Sequence, residues 1–328
     1  MNGRCCMADT LKLHFIKPGL HTTVQDAGRN GHQHLGIPVN GFMDHRSACE
    51  ANRLVENDEN GPLIEITMIG PEIRFEGAGQ IAITGADLHP KINGKPIHPY
   101  AAIQVRDGDL LQFGTLQQGC RAYLAVHGHW KVQSWLGSQS ASTVQPEALT
   151  PDSLIKKGSQ ITVVSERPAA ENISDEYYYD MPDLQDDGVL NVIPGPEFSL
   201  LSNITIASFF SQVFTISSDS NRMGYRLEGS VRGFSPLKEV ISSGIIPGTI
   251  QLTNSGQPIV LMADAQTSGG YTRIANLSRD SMDQLAQMKP GEQVRFVLAR
   301  FAPIKMRCFT SDLRSDAKRK GNTRMAFP

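Results

Sequence analysis

The chain has 328 residues, 40% hydrophobic and 20% charged, the composition of a soluble globular protein long enough for two domains with a core each. A formal net charge of -2 gives no electrostatic case for nucleic acid or an acidic membrane surface, and no apolar run approaches the roughly 20 residues of a membrane helix. Five cysteines without a Cys-x-x-Cys pair, and an N-terminus without an apolar signal-peptide core, predict a reducing, cytoplasmic setting.

Along the chain, Leu11–Ile16 alternates apolar and polar residues and predicts a strand. Thr22 to Arg29 follows Pro18-Gly19 as a polar run. It supplies the amide of Gln25, the carboxylate of Asp26, the guanidinium of Arg29 and a glycine that permits close backbone approach. His45–Leu54 predicts a helix with Asp44 as its N-cap. Ile73-Arg-Phe75 and Ile161–Val164 predict further strands. The acidic, Pro-containing stretch 165–188 reads as a linker between halves. Beyond it, Asn221–Arg226 sets two arginines around a glycine, with Tyr225 between them. Such a segment suits bidentate binding of a carboxylate or phosphate. Ser281–Met288 predicts a second helix, Gln293–Val297 another strand. From Ile304 onward seven Lys/Arg face two Asp, a net +5 that leaves the body at -7, so the end reads as a disordered basic tail.

One repeat organises this pattern. Ala78–Asp87 aligns without a gap on Ser255–Asp264, and at the same offset Ile73 and Phe75 fall on Ile250 and Leu252. Each copy is an alternating strand, a glycine turn and a mostly apolar run ending in Asp. The repeat, the many short strands and the 30 Gly and 19 Pro predict a mainly β chain of two related barrels with few short helices. The expected divisions are an N-terminal domain 8–164, the linker 165–188, a C-terminal domain 189–303 and the tail 304–328.

The repeat puts a carboxylate, Asp87 or Asp264, at the same point in each half. After Asp264 follow Gln266, Thr267, Gly269, Gly270 and Tyr271, whose glycine pair and hydroxyls suit an anion. All nine histidines lie in the first 129 residues, and two pairs have i, i+2 spacing, but no third ligand at a supporting spacing accompanies them. No metal site is expected. The chain holds no phosphate-loop, dinucleotide or nucleophile-elbow signature, and no biotin attachment sequence.

Gly19–Arg29, Gln33–Pro38, Met43-Asp44, Leu63–Thr67, Gly85–Leu88, Asn221–Gly229, Pro247–Gln251 and Gly256 through Gly270 together resemble the KipA family. That family is also called allophanate hydrolase subunit 2, or the carboxyltransferase-domain family. The chain departs from it at Asn221, at His127-Gly-His-Trp130 and at Gly137-Ser-Gln-Ser140. The resemblance implies a pair of cyclophilin-like β-barrel domains. It also implies a role like that of the C subunit of bacterial 5-oxoprolinase, in ATP-dependent opening of 5-oxoproline to L-glutamate. The expected partners are the KipI-like and the LamB/YcsF-like subunits of that enzyme, and the expected cofactor is ATP with Mg, without covalent biotin on this chain. In that role Arg222 and Arg226 would hold a carboxylate or phosphate, and Asp87 or Asp264 would act as base or orient water. Arg222→Ala is then expected to cost activity and little stability. Two alternatives stand beside it: a regulatory module that sequesters a KipI-like kinase inhibitor, and the carboxyltransferase component of a biotin-dependent urea or amide carboxylase.

Overall fold

The computed structural model describes residues 9–165, 187–237 and 241–299. Most of the stretch expected as a linker, the last residues of the expected C-terminal domain and the whole basic tail lie outside them. Within the described residues the chain is mainly β, with four short helices.

In the first half the strands fall into two sheets. A seven-stranded sheet runs, in spatial order, His129–Trp130, Gln160–Ser165, Asp9–Lys17, Glu72–Glu76, Leu110–Gln112, Lys91–Ile92 and Lys95–Pro96. A five-stranded sheet runs His21–Gln25, Leu63–Thr67, Gln118–Val126, Gly79–Asp87 and Ala102–Val105. One core is shared between them, with Leu13, Phe15, Ile64, Ile66, Phe75, Ile81, Ile83 and Leu124 all buried. The second half closes on itself. Its barrel runs Val189–Pro194, Thr272–Leu277, Thr249–Leu252, Pro258–Leu261, Gly224–Glu228, Phe214–Ile216 and Gln293–Leu298. A parallel pairing of Leu190 with Phe296 completes the ring. Stacked Phe209 and Phe296, with ring centroids 4.7 Å apart, pack inside its core.

The two repeat copies are both strands, but they are paired differently. In the second half Ile250 lies opposite Val260 and Leu252 opposite Pro258, a plain hairpin. In the first half Glu72–Glu76 pairs in one sheet, while Gly79–Asp87 pairs with Gln118–Val126 and Ala102–Val105 in the other. The chain changes sheet at Gly77, whose φ is 94°. A Cβ there would stand 2.2 Å from the Thr10 carbonyl oxygen, and its N–H donates to the Asp107 carboxylate at 2.9 Å. Only glycine fits that corner.

Helix α1 spans His45–Leu54, as expected, and Asp44 caps it by accepting from Ser47 N at 3.0 Å. Helix α2 is the single turn Pro146–Leu149. Helix α3, Asn203–Ser211, carried no amphipathic signal because apolar residues surround it: Phe209 is buried while Ile204 is 69% exposed. Helix α4 spans Arg279–Ala286, two residues earlier than expected, and the Ser278 side chain caps it by accepting from Ser281 N.

Candidate functional site

The strand Leu63–Thr67 is the starting point, because it carries a charge in an apolar run. Side chains alternate across a sheet, so Ile64 and Ile66 enter the core while Glu65 faces the other way, in a row with Thr23 and Tyr123. Glu65 is 1% exposed. Its Oε2 accepts from Met43 N at 2.9 Å and from the Tyr123 hydroxyl at 3.1 Å. Its Oε1 receives the guanidinium of Arg222, which comes from the second half of the chain.

Arg222 is consumed by this arrangement. Nε donates to Asp264 Oδ2 at 2.8 Å, Nη2 to Asp264 Oδ1 at 3.0 Å, and Nη2 also to the Gly41 carbonyl at 2.6 Å. Burial opposes its charge, but Asp264 and Glu65 outweigh that and hold its pKa above the ordinary arginine value. From Asp264 the network returns to the first half. Asn40 donates to Asp264 Oδ1 at 2.7 Å and accepts from Arg29 Nη1 at 2.5 Å. Arg29, 1% exposed, also donates to the Ser140 carbonyl at 2.5 Å and lies 5.0 Å from the centroid of the Trp135 ring. Burial lowers its pKa, against the opposing pull of Asp26 and Asp264.

A second strand of the network lies beside it. Arg121 donates to the Tyr225 hydroxyl at 2.7 Å and to the Ala286 carbonyl at 2.5 Å, with Nε 3.8 Å from Glu65. Tyr225 in turn donates to the Met288 carbonyl at 3.1 Å. Gln287, just past α4, accepts from Cys120 N and Arg121 N at 3.0 Å each. Its amide donates to Asp44 Oδ2 at 2.7 Å and to the Arg121 carbonyl at 2.9 Å. Burial raises the pKa of Asp44, against the hydrogen bonds from Gln287 and Ser47.

The expected site residues therefore separate into groups. Asp26, Arg29, Arg222, Tyr225 and Asp264 are buried in this polar layer between the halves. Asp26 accepts from Gly28 N, Ser138 Oγ, Gln139 N and Ser140 Oγ at 2.6 to 2.8 Å, so its carboxylate organises two loops. The family departure at Gln139 touches it only through backbone. Gln25 donates to Thr23 Oγ1 at 2.9 Å and is 1% exposed. Arg226, Gln266, Gly270 and Tyr271 are exposed, with Thr267 and Gly269 half-buried beside them. Asp87 does not join Asp264: its Oδ1 accepts from His89 N at 2.7 Å in its own turn, and its backbone pairs with Gln118. The reading of Arg222 as a surface residue free to clamp a substrate is also corrected, since its donors are taken by Asp264, Glu65 and Gly41. Among the described residues no cluster of three or more His, Cys, Asp or Glu side chains forms a metal site, and His127 Nδ1 lies 2.7 Å from the Val55 carbonyl oxygen. Glu65, Asn40, Arg121 and Gln287 were missed. Of these only Glu65 announced itself, as a charge within Leu-Ile-Glu-Ile-Thr.

The chain is a mainly β protein whose halves meet at a buried ionic seam, and it belongs to the carboxyltransferase-domain family. The family model "Carboxyltransferase domain, subdomain A and B" matches residues 35–298. The chain is 35% identical to the C subunit of Escherichia coli 5-oxoprolinase over 286 residues, 87% of this chain and 90% of that one. It is 32% identical to Lachancea kluyveri urea amidolyase over 302 residues, 85% of this chain but 16% of that protein. The solved structure of TTHA0988 superposes with a TM-score of 0.75 at 27% identity, over 87% of this chain; the chain spans just over half of that protein, 55%.

Proposed function

We propose that this chain is one component of an ATP-dependent 5-oxoprolinase, acting with KipI-like and LamB/YcsF-like subunits to open 5-oxoproline to L-glutamate. The observation that supports this most directly is the 35% identity to the E. coli 5-oxoprolinase chain over 90% of its length, against 16% of urea amidolyase.

A five-membered lactam resists water because its amide is resonance-stabilised and its leaving group is an amine. Transfer of the ATP γ-phosphoryl group to the lactam oxygen, releasing ADP, turns that oxygen into part of a leaving group. Water then adds to the ring carbon and the C–N bond breaks, the ring nitrogen leaving as the protonated amine and the ring carbon becoming a γ-glutamyl phosphate. A second water hydrolyses that acyl phosphate to glutamate and inorganic phosphate. In this reading the buried seam holds the two halves in register rather than performing the chemistry. The exposed groups of Gln266, Tyr271 and Arg226, with half-buried Thr267 beside them, are the ones able to meet substrate. Nucleotide with Mg is assigned to the complex, bound together with the partner subunits.

The likeness to urea amidolyase supports a second reading, carboxyl transfer to urea or a related amide. One assay separates the two: the chain mixed with its partner subunits, ATP and 5-oxoproline, with glutamate and ADP followed together. Glutamate release that needs this chain is expected. No release from the complete mixture, with biotin-dependent carboxylation of urea instead, would overturn the reading.

A further inference from the structure

Gln266, Thr267 and Tyr271, three of the groups assigned to substrate, flank a very short strand. Ser268–Gly269 pairs antiparallel with Ser243–Gly244, Gly269 opposite Ser243 and Ser268 opposite Gly244. The pairing runs one residue further, Ile245 N donating to the Thr267 carbonyl at 3.0 Å. A two-stranded ribbon is marginally stable on its own even at greater length, so this flap depends on what ties it to the barrel.

Two ties are present. The first is apolar: Ile245 is buried and packs with Leu261, Ala265 and Ile259. The second is Arg273, which stands on the strand Thr272–Leu277 opposite Gln251. Gly269 passes so close to that glutamine that a Cβ there would stand 2.8 Å from its Nε2, which brings the flap alongside Arg273. Arg273 Nη1 donates to the Gly244 carbonyl at 3.0 Å. Among the described residues no other side chain hydrogen-bonds to residues 241–246 or 266–271.

The rest of the guanidinium is spoken for. Nε and Nη2 donate to the two carboxylate oxygens of Glu197 at 2.9 and 2.5 Å, and Arg273 N donates to the same carboxylate at 2.9 Å. Such a fork fixes the plane of the guanidinium, and with it the direction of Nη1. Both side chains are largely buried, at 15% and 13% exposure. Glu197 reaches this point because Gly195 lets its segment cross tightly over the strand. Gly195 N donates to the Ile274 carbonyl at 2.9 Å, and a Cβ at Gly195 would stand 2.3 Å from the Arg273 carbonyl oxygen.

We propose that Arg273 is a positioning residue for substrate. Glu197 aims it, its Nη1 holds the flap at Gly244, and the flap in turn keeps Gln266, Thr267 and Tyr271 in place. Arg273 itself does not touch substrate. The tie between Arg273 and the flap rests on this geometry alone; that the flap groups meet 5-oxoproline rests on the 5-oxoprolinase reading.

The test uses two variants of the full chain. Arg273→Ala removes the whole tie. Arg273→Lys keeps a cation for Glu197, so it spares stability, but its single nitrogen cannot reproduce three side-chain bonds made by a planar fork. Amide hydrogen exchange reads the flap without any substrate. Exchange at residues 243–245 and 267–269 should speed up about three- to tenfold in both variants, the effect of one lost hydrogen bond. The barrel strands Thr249–Leu252 and Pro258–Leu261 should be unchanged. In the reconstituted complex KM for 5-oxoproline should rise about threefold or more with kcat within about twofold, because fewer chains at any moment present the flap groups in place.

Unchanged flap exchange in both variants would overturn the tie. Equal acceleration in the barrel strands would overturn it too, since Arg273 would then support the barrel alone. Faster flap exchange with an unchanged KM in an active complex would overturn the positioning of substrate. A complete mixture with the unaltered chain that releases no glutamate would refute the 5-oxoprolinase reading instead, and the exchange result would still decide whether Arg273 holds the flap.

Discussion

Arg222 grips Asp264 through two hydrogen bonds, at 2.8 and 3.0 Å, while its remaining terminal nitrogen ion-pairs Glu65 in the other half of the chain. One guanidinium thus neutralises two carboxylates that are both almost fully removed from water. Arg222→Ala should strip both of their partner and cost about 3–5 kcal/mol of stability, as broken buried ion pairs do. Urea unfolding of the variant checks this. A loss below about 1 kcal/mol, the range of an exposed pair, would return Arg222 to the surface role that its sequence context suggests.

Gln287 is the second tie between the halves. Its side chain makes four hydrogen bonds to Cys120, Arg121 and Asp44. Gln287→Leu keeps the volume and removes all four, leaving buried backbone groups unpaired at about 1–3 kcal/mol for each one that finds no water. A marked fall in the thermal midpoint is the expected result. A midpoint equal to that of the unaltered chain would mean that the seam repacks around leucine.

Asp283 accepts from His45 N at 2.8 Å, and the two side chains titrate in opposite senses. Burial, followed by the nearby Asp44, raises the Asp283 carboxyl from 3.8 to about 6. Burial, followed by Arg279, lowers His45 from 6.5 to about 4. The folded state therefore favours protonated Asp283, so that group's contribution is fully present below pH 3.8 and is lost as pH rises through about 6. The folded state favours neutral His45, whose contribution is full above pH 6.5 and is lost as pH falls towards about 4. Asp283→Asn keeps the acceptor and cannot ionise. It should raise the thermal midpoint above about pH 7 and leave it nearly unchanged near about pH 4, where the unaltered carboxyl is already protonated. An equal shift at both pH values would refute the assignment.

Asp87 serves its own turn. Asp87→Asn retains an acceptor for His89 N and should leave glutamate release by the reconstituted complex unchanged, with stability altered by no more than about 1 kcal/mol. A tenfold loss of activity would reinstate Asp87 in the role of base or water-orienting group that the resemblance implied.

The sequence by itself was enough for the β-rich class, for helix α1 with its Asp44 cap, and for the strands of both repeat copies. Those features depend on side-chain alternation and on local hydrogen bonds within a few residues. It was also enough for the family, because the segments that carry the resemblance are long and occur in order. What alternation could not reveal was where each strand finds its neighbours. The same pattern makes a hairpin at Ile250–Leu252 and a change of sheet at Gly77, and only the crowding against Thr10 separates the two outcomes. Nor could local reasoning decide the fate of Arg222, since Glu65 is 157 residues away along the chain. Whether an arginine in a polar, glycine-containing segment is free for a ligand or locked in an ion pair depends on which carboxylates folding brings beside it. That is decided by tertiary packing.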